Sequence, residues 1–355
     1  MSRPLVATIR LDHLRHNYLE AKRLTGSRAL AAIKANAYGH GAVRCAQALH
    51  DIADGFGVAA IEEALELRDA GISNPVMLLE GWFEASELAQ IAEHQLWSSI
   101  HCFEQLEQLE KTAVAAPLTL WVKVDSGMHR LGFAPECIAE VMARLKATGK
   151  IANLNLMTHF ARADETDCDA TAKQIATFSA IAAQYDGEIS LANSGGIQAW
   201  RDARGDWCRP GIMLYGGRAT DKPGLATTRP VMQLDSAIIA VRELDAGEPV
   251  GYGARFISEQ PTRVGVVACG YADGYPRVAP TGTPVLVNGV LTRVIGRVSM
   301  DMLTVDLTNL PDAGVGSHVR LWGEGLPAHE VAESAGTLDY EIFCNVKRAR
   351  FNYVA

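Results

Sequence analysis

The chain has 355 residues, a hydrophobic content of 48% and a charged content of 21%, which suits an ordinary globular protein of about two domains. Its formal net charge of −8 at pH 7, with no block of lysine and arginine, argues against nucleic acid or an anionic membrane as a partner. The seven cysteines form no C-x-x-C pair, so neither a metal site nor a disulfide framework is predicted.

The first residues contain no apolar leader, and no apolar run reaches the roughly 18 residues that a membrane span needs. We therefore expect a cytoplasmic protein without a membrane partner. A helix is predicted where Leu11, Leu14, Tyr18 and Ala21 recur at spacings of three and four, with Asp12 as its candidate cap.

An apolar run over residues 29–33 ends in Lys34 and is followed by a glycine-containing turn. The run predicts a buried strand whose last side chain is an amine. Two outcomes are open for this amine. It can reach solvent from the strand end, which is the commoner fate of lysine, or it can stay desolvated and act as a nucleophile toward a carbonyl.

Short apolar runs bounded by glycine or proline then alternate with helical stretches. With the run before Lys34 they give eight strand candidates, and this alternation predicts an α/β fold, a (β/α)8 TIM barrel, with an open doubly wound sheet as the alternative. The count, and polar residues placed just after strands, favour the barrel. The other strands are predicted at 55–60, 75–79, 97–100, 118–124, 154–158, 188–192 and 207–209, and helices at 61–69, 86–93, 103–112, 135–148 and 170–185.

Helical patterns become scarce in the last third of the chain, where turn signals such as Asn288–Gly289 separate short strands. We therefore predict a barrel domain at residues 1–225 and a mostly β C-terminal domain at residues 226–355. Its strands are predicted at 231–242, 263–268, 283–287, 290–295, 303–306 and 318–322.

Glycine turns follow the seventh and eighth predicted strands, one beginning Asn193–Ser194 and the other containing Gly211. Loops in these positions of a barrel commonly bind phosphate, which backbone N–H groups and a serine hydroxyl can hold. Either turn alone is more often a plain connection, because glycine is the usual turn residue. Their joint position favours a phosphate site.

The segment 33–41, Ile-Lys-Ala-Asn-Ala-Tyr-Gly-His-Gly, closely resembles the pyridoxal phosphate attachment segment of alanine racemases, in which the lysine binds the cofactor covalently. The resemblance extends over essentially the whole chain. It implies that Lys34 binds the cofactor. It also implies a set of residues around the cofactor phosphate, which are Tyr38, Ser194, Gly211, Ile212 and Tyr340, with Asn193 in the same turn.

The same resemblance implies that Arg209 faces the pyridine nitrogen and that His159 supports it from behind. A permanent cation there disfavours protonation of the ring and makes the cofactor a weaker electron sink. From the residues alone, His159 is equally a strand-end histidine that bonds a backbone carbonyl. Both interpretations require only a hydrogen bond.

Residues 121–132 leave a strand and enter a glycine turn that carries two cations, Lys123 and Arg130. Taken alone, such charges are usually solvated loop residues. The segment looks like the family stretch in which the arginine contacts the cofactor and borders the substrate, while the lysine is carbamylated to support it. Family members commonly have glycine or asparagine where this chain has His129.

Racemisation needs two acid/base groups, because a planar carbanion loses its proton on one face and regains it on the other. Lys34 is expected to serve one face. The resemblance implies that Tyr252, supplied by the second subunit of a homodimer, serves the other. It also implies that Met300 and Asp301 of that subunit border the substrate carboxylate and that Tyr271 lines the entrance.

The function implied is interconversion of L- and D-alanine on pyridoxal phosphate, either supplying D-alanine for peptidoglycan or degrading alanine. A broader-specificity amino-acid racemase of the same family is an alternative. Two rivals lie further away. A decarboxylase on the same barrel typically has a carboxylate where this chain has Arg209, and the non-catalytic cofactor-binding relatives lack the β domain.

Overall fold

A computed structural model describes residues 3–222 and 224–355 of the chain. These residues form two compact units. The barrel unit is Leu14–Leu214 together with Ala219–Thr228. The β unit contains the chain up to His13, the short segment Tyr215–Arg218, and the chain from Arg229 onward.

The barrel unit is built on a closed barrel of parallel strands, as predicted. Each strand pairs with the next along the chain, and the last pairs with the first through Arg28 opposite Trp207 and Ala29 opposite Cys208. The (β/α)8 prediction is therefore confirmed. In order, its strands are Arg28–Ala32, Gly55–Val58, Val76–Leu78, Trp97–Ile100, Leu118–Lys123, Ile151–Met157, Ile189–Ser190 and Trp207–Cys208.

Large side chains fill the barrel interior. Trp121 and Trp207 are fully buried there, and the edge of Trp97 packs on Trp207 with ring centroids 5.2 Å apart. Leu30 and Met77 belong to the same cluster. Because a packed barrel offers no central channel, polar chemistry is confined to its ends.

Amphipathic helices cover the barrel. The predicted first helix runs over Leu11–Thr25 and buries Leu14, Tyr18 and Ala21, the residues whose spacing predicts it. None of the helices in the described ranges 3–222 and 224–355 is both long and apolar enough to cross a membrane. The remaining α-helices of the barrel unit are Ala42–Leu49, Ile61–Asp69, Glu87–Glu93, Phe103–Lys111, Ile138–Ala147, Ala170–Ala182 and Ser194–Ala199.

The β unit is dominated by a mostly antiparallel sheet around the long strand Met232–Leu244. That strand pairs with His318–Trp322, Val6–Arg10 and, further along, Thr262–Val267. Two short helices, Ala328–Ser334 and Asp339–Asn345, accompany the sheet. Its other strands are Pro284–Val287, Val290–Arg293, Leu303–Asp306 and Arg350–Val354, and a small pair is formed by Pro249–Val250 and Phe256–Ile257.

The observed division of the chain differs from the predicted boundary at residue 225 in where it places the strand Val6–Arg10. It lies between Met232–Leu244, to which it is antiparallel, and Arg350–Val354, to which it is parallel. The structure therefore groups it with the β unit, whereas the predicted boundary assigned it to the barrel domain. The sequence of this five-residue strand gives no local sign that its hydrogen-bond partners lie more than two hundred residues away.

Candidate active site

Lys34 lies just beyond the first barrel strand, at the carboxyl end of the barrel where active sites of this fold are found. Its side chain is 36% exposed, and its Nζ lies 3.9 Å from Glu80 Oε1. The amine is thus neither fully solvated nor fully desolvated, which places it between the two outcomes left open by the sequence. The sequence pattern does not single out Glu80.

The backbone after Lys34 is left-handed. Ala35, Asn36, Ala37 and Tyr38 all have φ between 51° and 54°, a conformation that costs non-glycine residues roughly 1–2 kcal/mol each. Glu63 holds this segment by accepting the N–H of Ala35 at 2.6 Å. The sequence predicts a buried strand that runs directly into a turn. It does not predict this left-handed segment.

Asn36 closes the left-handed segment onto the next helix. Its side-chain oxygen accepts the N–H of Ala42 at 2.8 Å, and its carbonyl accepts the N–H of Gly41 at 3.0 Å. Such a conformation persists only where its surroundings over-determine it. The segment therefore fixes both the direction of Lys34 and the position of Tyr38.

Arg209 is buried at the end of the last barrel strand. Its guanidinium donates to Ser190 Oγ at 2.5 Å, to the Thr158 carbonyl at 2.5 Å and to the Leu191 carbonyl at 3.2 Å. Burial lowers the pKa of Arg209 to about 10, so the side chain remains a cation at neutral pH. Ser190 and Thr158 carry no motif and are absent from the sequence-based candidates.

His159 lies behind Arg209, with its Nδ1 3.4 Å from a guanidinium nitrogen. Burial, followed by the charges of Arg209 and Lys123, holds the pKa of His159 well below its ordinary value. A neutral imidazole beside a guanidinium can only accept at the facing nitrogen. His159 therefore supports Arg209 as an acceptor.

Lys123 is buried at the end of its strand. Burial, then repulsion by Arg209 and Arg130, lowers the pKa of Lys123 to about 8. Arg130 itself is exposed, yet its charge acts on both Lys123 and His159, so it faces the same end of the barrel. The two cations singled out by the sequence are thus in different surroundings, one buried and one solvated.

A tight loop leads to Arg130. Asp125 Oδ1 accepts the N–H groups of Gly127, Met128 and His129, each at about 3 Å. His129 has φ 55°, the left-handed conformation that glycine and asparagine adopt with least strain, and its ring bonds Asp125 Oδ2 at 3.0 Å. The ring of His129 therefore supports, through Asp125, the left-handed backbone that this loop requires.

The two glycine turns lie in contact with each other. Ser194 Oγ accepts the N–H of Gly211 at 2.9 Å and that of Met213 at 3.3 Å. A Cβ added to Gly211 would lie only 2.8 Å from the Tyr38 hydroxyl. Two hydroxyls therefore converge on the buried backbone at Gly211, with the buried Ile212 next in the chain.

Asn193 shapes the first of these turns. Its side-chain oxygen accepts the N–H of Gly196 at 3.0 Å and caps the helix that begins at Ser194. A Cβ on Gly195 would meet the backbone of Ala163 at 2.8 Å. The side chain of Asn193 is thus occupied with the turn, and glycine is needed for the close approach.

Gln174 stabilises the loop that follows His159. Its amide nitrogen donates to the His159 carbonyl at 3.1 Å and to Ser126 Oγ at 3.3 Å, and its oxygen accepts the N–H of Ala161 at 2.9 Å. Ser126 in turn bonds the Thr158 hydroxyl at 2.7 Å. This buried network holds the backbone from which Thr158 and His159 reach Arg209.

The β unit carries the remaining candidates. Tyr252 stands in a turn between Gly251 and Gly253, which have φ 69° and 72°, and its side chain is 70% exposed. Tyr340 lies in the first turn of the helix Asp339–Asn345 and is partly exposed. Tyr271 lies near Arg277, whose guanidinium carbon is 5.9 Å from the centroid of the ring.

Met300 and Asp301 lie in a loop beside Tyr271. Met300 is 55% exposed, and the carbonyls of Ser299 and Met300 accept the N–H groups of Tyr271 and Ala272 at 3.0 and 2.9 Å. Within the β unit, three of the five candidates therefore belong to one hydrogen-bonded cluster.

Both parts of the chain match known sequences. Residues 9–219 match the family described as "Alanine racemase, N-terminal domain", and residues 231–354 match "Alanine racemase, C-terminal domain". The chain belongs to the alanine racemase family. Relatives in this family include the alanine racemase of Pseudomonas taetrolens and the catabolic alanine racemase of Pseudomonas putida, each 60% identical over 354 residues and matched over 99% of both chains.

Solved alanine racemases share the fold. The biosynthetic alanine racemase of Pseudomonas aeruginosa superposes with a TM-score of 0.97 at 48% identity, over 99% of this chain and 100% of that one. The alanine racemase of Bartonella henselae with covalently bound pyridoxal phosphate gives 0.90 at 30% identity, over 99% of both chains. Membership of the alanine racemase family and the barrel-plus-β-domain architecture are thus confirmed.

Proposed function

We propose that this member of the alanine racemase family interconverts L- and D-alanine with pyridoxal phosphate and two bases. One observation carries the proposal: the barrel unit alone gathers Lys34, the turn at Gly211 with the hydroxyls of Tyr38 and Ser194, and the buried cation Arg209 at one end of its strands. Full-length relatives that are named alanine racemases support the choice of substrate.

The residues present fit the cofactor. The cradle formed by Tyr38, Ser194 and Gly211 admits no side chain at Gly211, which suits a phosphate held by hydroxyls and N–H groups. Lys34 supplies the amine for covalent attachment. In the proposal Asn193 and Ile212 shape the phosphate turn, and Tyr340 adds a hydroxyl to it.

When bound, pyridoxal phosphate acts as an electron sink that lets the Cα of an amino acid release its proton. In the proposed mechanism, Lys34 takes or returns that proton at Cα on the D side. Tyr252 of the partner subunit does so on the L side, and Arg130, Met300 and Asp301 border the substrate. Tyr271 lines its entrance.

Arg209 restrains the chemistry to proton transfer. A guanidinium has no acceptor atom and cannot hand a proton to a ring nitrogen without losing its own charge. With a pKa of about 10, it remains a donor at neutral pH. In this proposal His159 and Ser190 maintain that orientation, and the weaker electron sink suppresses reactions other than proton exchange.

Lys123 is proposed to carry a carbamate. A lysine with a pKa of about 8 has a sizeable neutral fraction at physiological pH, and a neutral amine adds carbon dioxide with release of one proton. The product is an anion beside Arg130. Carbamylation would exchange a buried cation, which Arg209 and Arg130 repel, for an anion, which they attract.

The exposure of two candidates in the β unit supports a homodimer with shared active sites. Tyr252 and Met300 are largely exposed within their own chain, although both are expected to act on substrate. We propose that a second copy covers them, so each site combines one barrel unit with the partner's Tyr252 and the partner's Met300.

The proposed site serves either direction of metabolism. L- and D-alanine have equal free energies in an achiral solvent, so no arrangement of residues in one site favours one enantiomer at equilibrium. Supply of D-alanine for peptidoglycan and breakdown of alanine therefore require the same chemistry. Substrate breadth is tested by offering serine and lysine beside alanine.

The deciding experiment incubates the purified protein, loaded with pyridoxal phosphate, with L-alanine in deuterated water. Circular dichroism and deuterium at Cα are followed together. Loss of optical activity with deuterium entering at Cα is the expected result. Deuterium entry with chirality retained would remove Tyr252 from the mechanism, and carbon dioxide release would indicate a decarboxylase.

A further inference from the structure

Arg3 makes a three-way contact inside the β unit. Its guanidinium donates to both oxygens of the fully buried Asp273 at 2.5 and 2.7 Å, and to the carbonyl of Asp301 at 2.6 Å. Bidentate arginine–carboxylate pairs are strong and directional. The Asp301 backbone is therefore tied to a carboxylate in the interior of the β unit.

The turn that contains Asp273 is joined to the same loop through its backbone. Asp273 Oδ2 accepts the N–H of Gly270 at 2.9 Å. A Cβ on Gly270 would lie 2.4 Å from the carbonyl oxygens of Ser299 and Met300, so the two backbones are in direct contact. Displacing Asp273 would disturb Tyr271 and Met300 together.

Arg348 holds the side chain of Asp301. Its Nη2 donates to Asp301 Oδ1 at 2.8 Å, and its Nε lies 3.5 Å from Asp273 Oδ1. Arg348 has φ 57°, a left-handed conformation that a side chain with a Cβ rarely adopts. The backbone is thus bent in the direction that brings this arginine to both carboxylates.

We propose that Arg3 and Arg348, through the buried Asp273, are positioning residues that hold the Met300–Asp301 loop in its substrate-binding conformation. The inference rests on the proposed function for the role of Met300 and Asp301. Arg3 fixes the loop by its carbonyl. Arg348 neutralises the carboxylate of Asp301, which would otherwise repel the carboxylate of an amino acid.

The first test compares Arg3→Ala and Arg348→Ala with Arg263→Ala in the holoenzyme. Arg263 is a matched control, because its side chain is 22% exposed against 26% for Arg3, and it also joins a carboxylate, Glu243, to a loop carbonyl, Leu310. We expect the KM for alanine to rise about five- to tenfold in both test variants with a smaller change in kcat. The control should keep its KM.

A rescue variant separates positioning from general support. In Arg348→Ala the Asp301 carboxylate loses its counter-charge, so adding Asp301→Asn should recover about half or more of the lost affinity. A purely structural arginine would not be rescued by removing a second group. Failure of the rescue, or a KM change no larger than in Arg263→Ala, would overturn the inference.

Hydrogen exchange of the substrate-free protein makes the test independent of the proposed function. The amides of Tyr271 and Ala272, which bond Ser299 and Met300, should exchange about tenfold faster in Arg3→Ala than in the wild type, while residues 34–41 should not change. Unchanged exchange at residues 271–272 would overturn the anchoring even if the wild type racemises alanine. A wild type that does not racemise alanine would instead refute the proposed function.

Discussion

The barrel unit and the β unit present their candidate residues in opposite ways. Arg209 and Lys123 are buried at the end of the barrel, and Arg209 donates to Ser190 and to the carbonyls of Thr158 and Leu191 within its own unit. Tyr252 and Met300 of the β unit are mostly exposed. The barrel unit therefore holds its charged groups in its interior, whereas the β unit leaves its candidate side chains outward.

The difference indicates how each unit holds its part of the proposed active site in place. In the barrel, burial and then the neighbouring cations lower the pKa of Lys123 and of His159. In the β unit, precision comes from backbone contacts that fix a loop while leaving its side chains outward. Variants in the barrel should therefore change chemistry, and variants in the β unit should change access, orientation or one face of the reaction.

The largest effect is expected for Lys34→Ala. Loss of the attaching amine should lower racemisation by at least about 10³-fold and remove the visible absorbance of covalently bound cofactor. Lys111→Ala, which removes only an exposed ion pair to Glu107, serves as the control. Retained absorbance together with retained activity would assign attachment to another residue.

Tyr252→Phe should lower racemisation by about 10²-fold. Net rates from L- and D-alanine must fall together, because a catalyst does not alter the equilibrium between enantiomers. The informative measurement is exchange of the Cα proton with solvent without inversion, which should persist for D-alanine and be lost for L-alanine. Tyr185→Phe is the control, and equal loss for both enantiomers would refute the assignment of faces.

Lys123→Arg should lower activity by about tenfold, because arginine keeps a cation but cannot bind carbon dioxide. The lowered pKa, about 8, predicts that at constant dissolved carbon dioxide the wild type gains carbamate as pH rises through that value and loses it as pH falls. Isotope-labelled carbon dioxide, followed by NMR, measures this uptake. Equal labelling of the two proteins would place the carbamate elsewhere.

The smallest effect is expected for Gln174→Leu, which keeps the size of the side chain and removes its bonds to Ser126, His159 and Ala161. The free energy of unfolding should fall by about 1–3 kcal/mol, because buried polar partners lose their bonds. Activity should fall only about threefold, since Arg209 keeps its own contacts. Urea unfolding beside the exposed control Gln184→Leu measures the first effect.

Local patterns predict much of the fold. The apolar runs place each barrel strand within a few residues, including Ile189–Ser190, which is only two residues long. Short apolar runs and turn signals likewise place six strands of the β unit, but they miss Arg350–Val354 and the pair Pro249–Val250 and Phe256–Ile257. The strand Val6–Arg10 does not emerge from such patterns, because its membership of a sheet depends on partners distant in sequence.

Residues of the candidate site that belong to a local motif can be predicted from the sequence. Residues that support them through contacts distant in sequence cannot. Ser194 and Gly211 stand in recognisable turns, and the structure brings them together. Ser190, Glu80, Gln174 and Arg3 are ordinary residues whose roles depend on contacts across the fold. The left-handed conformation after Lys34 is equally hidden, since alanine at residues 35 and 37 indicates a right-handed helix.

The placement of Val6–Arg10 also concerns the order in which a ribosome makes the protein. This strand is made before the barrel, yet both of its neighbours in the sheet are synthesised only after the whole barrel. The barrel can fold during synthesis, as domains generally do, before the sheet partners of Val6–Arg10 have been made. The β unit, with the pairing of Arg3 and Asp273, is therefore completed last, once residues 350–354 have been made.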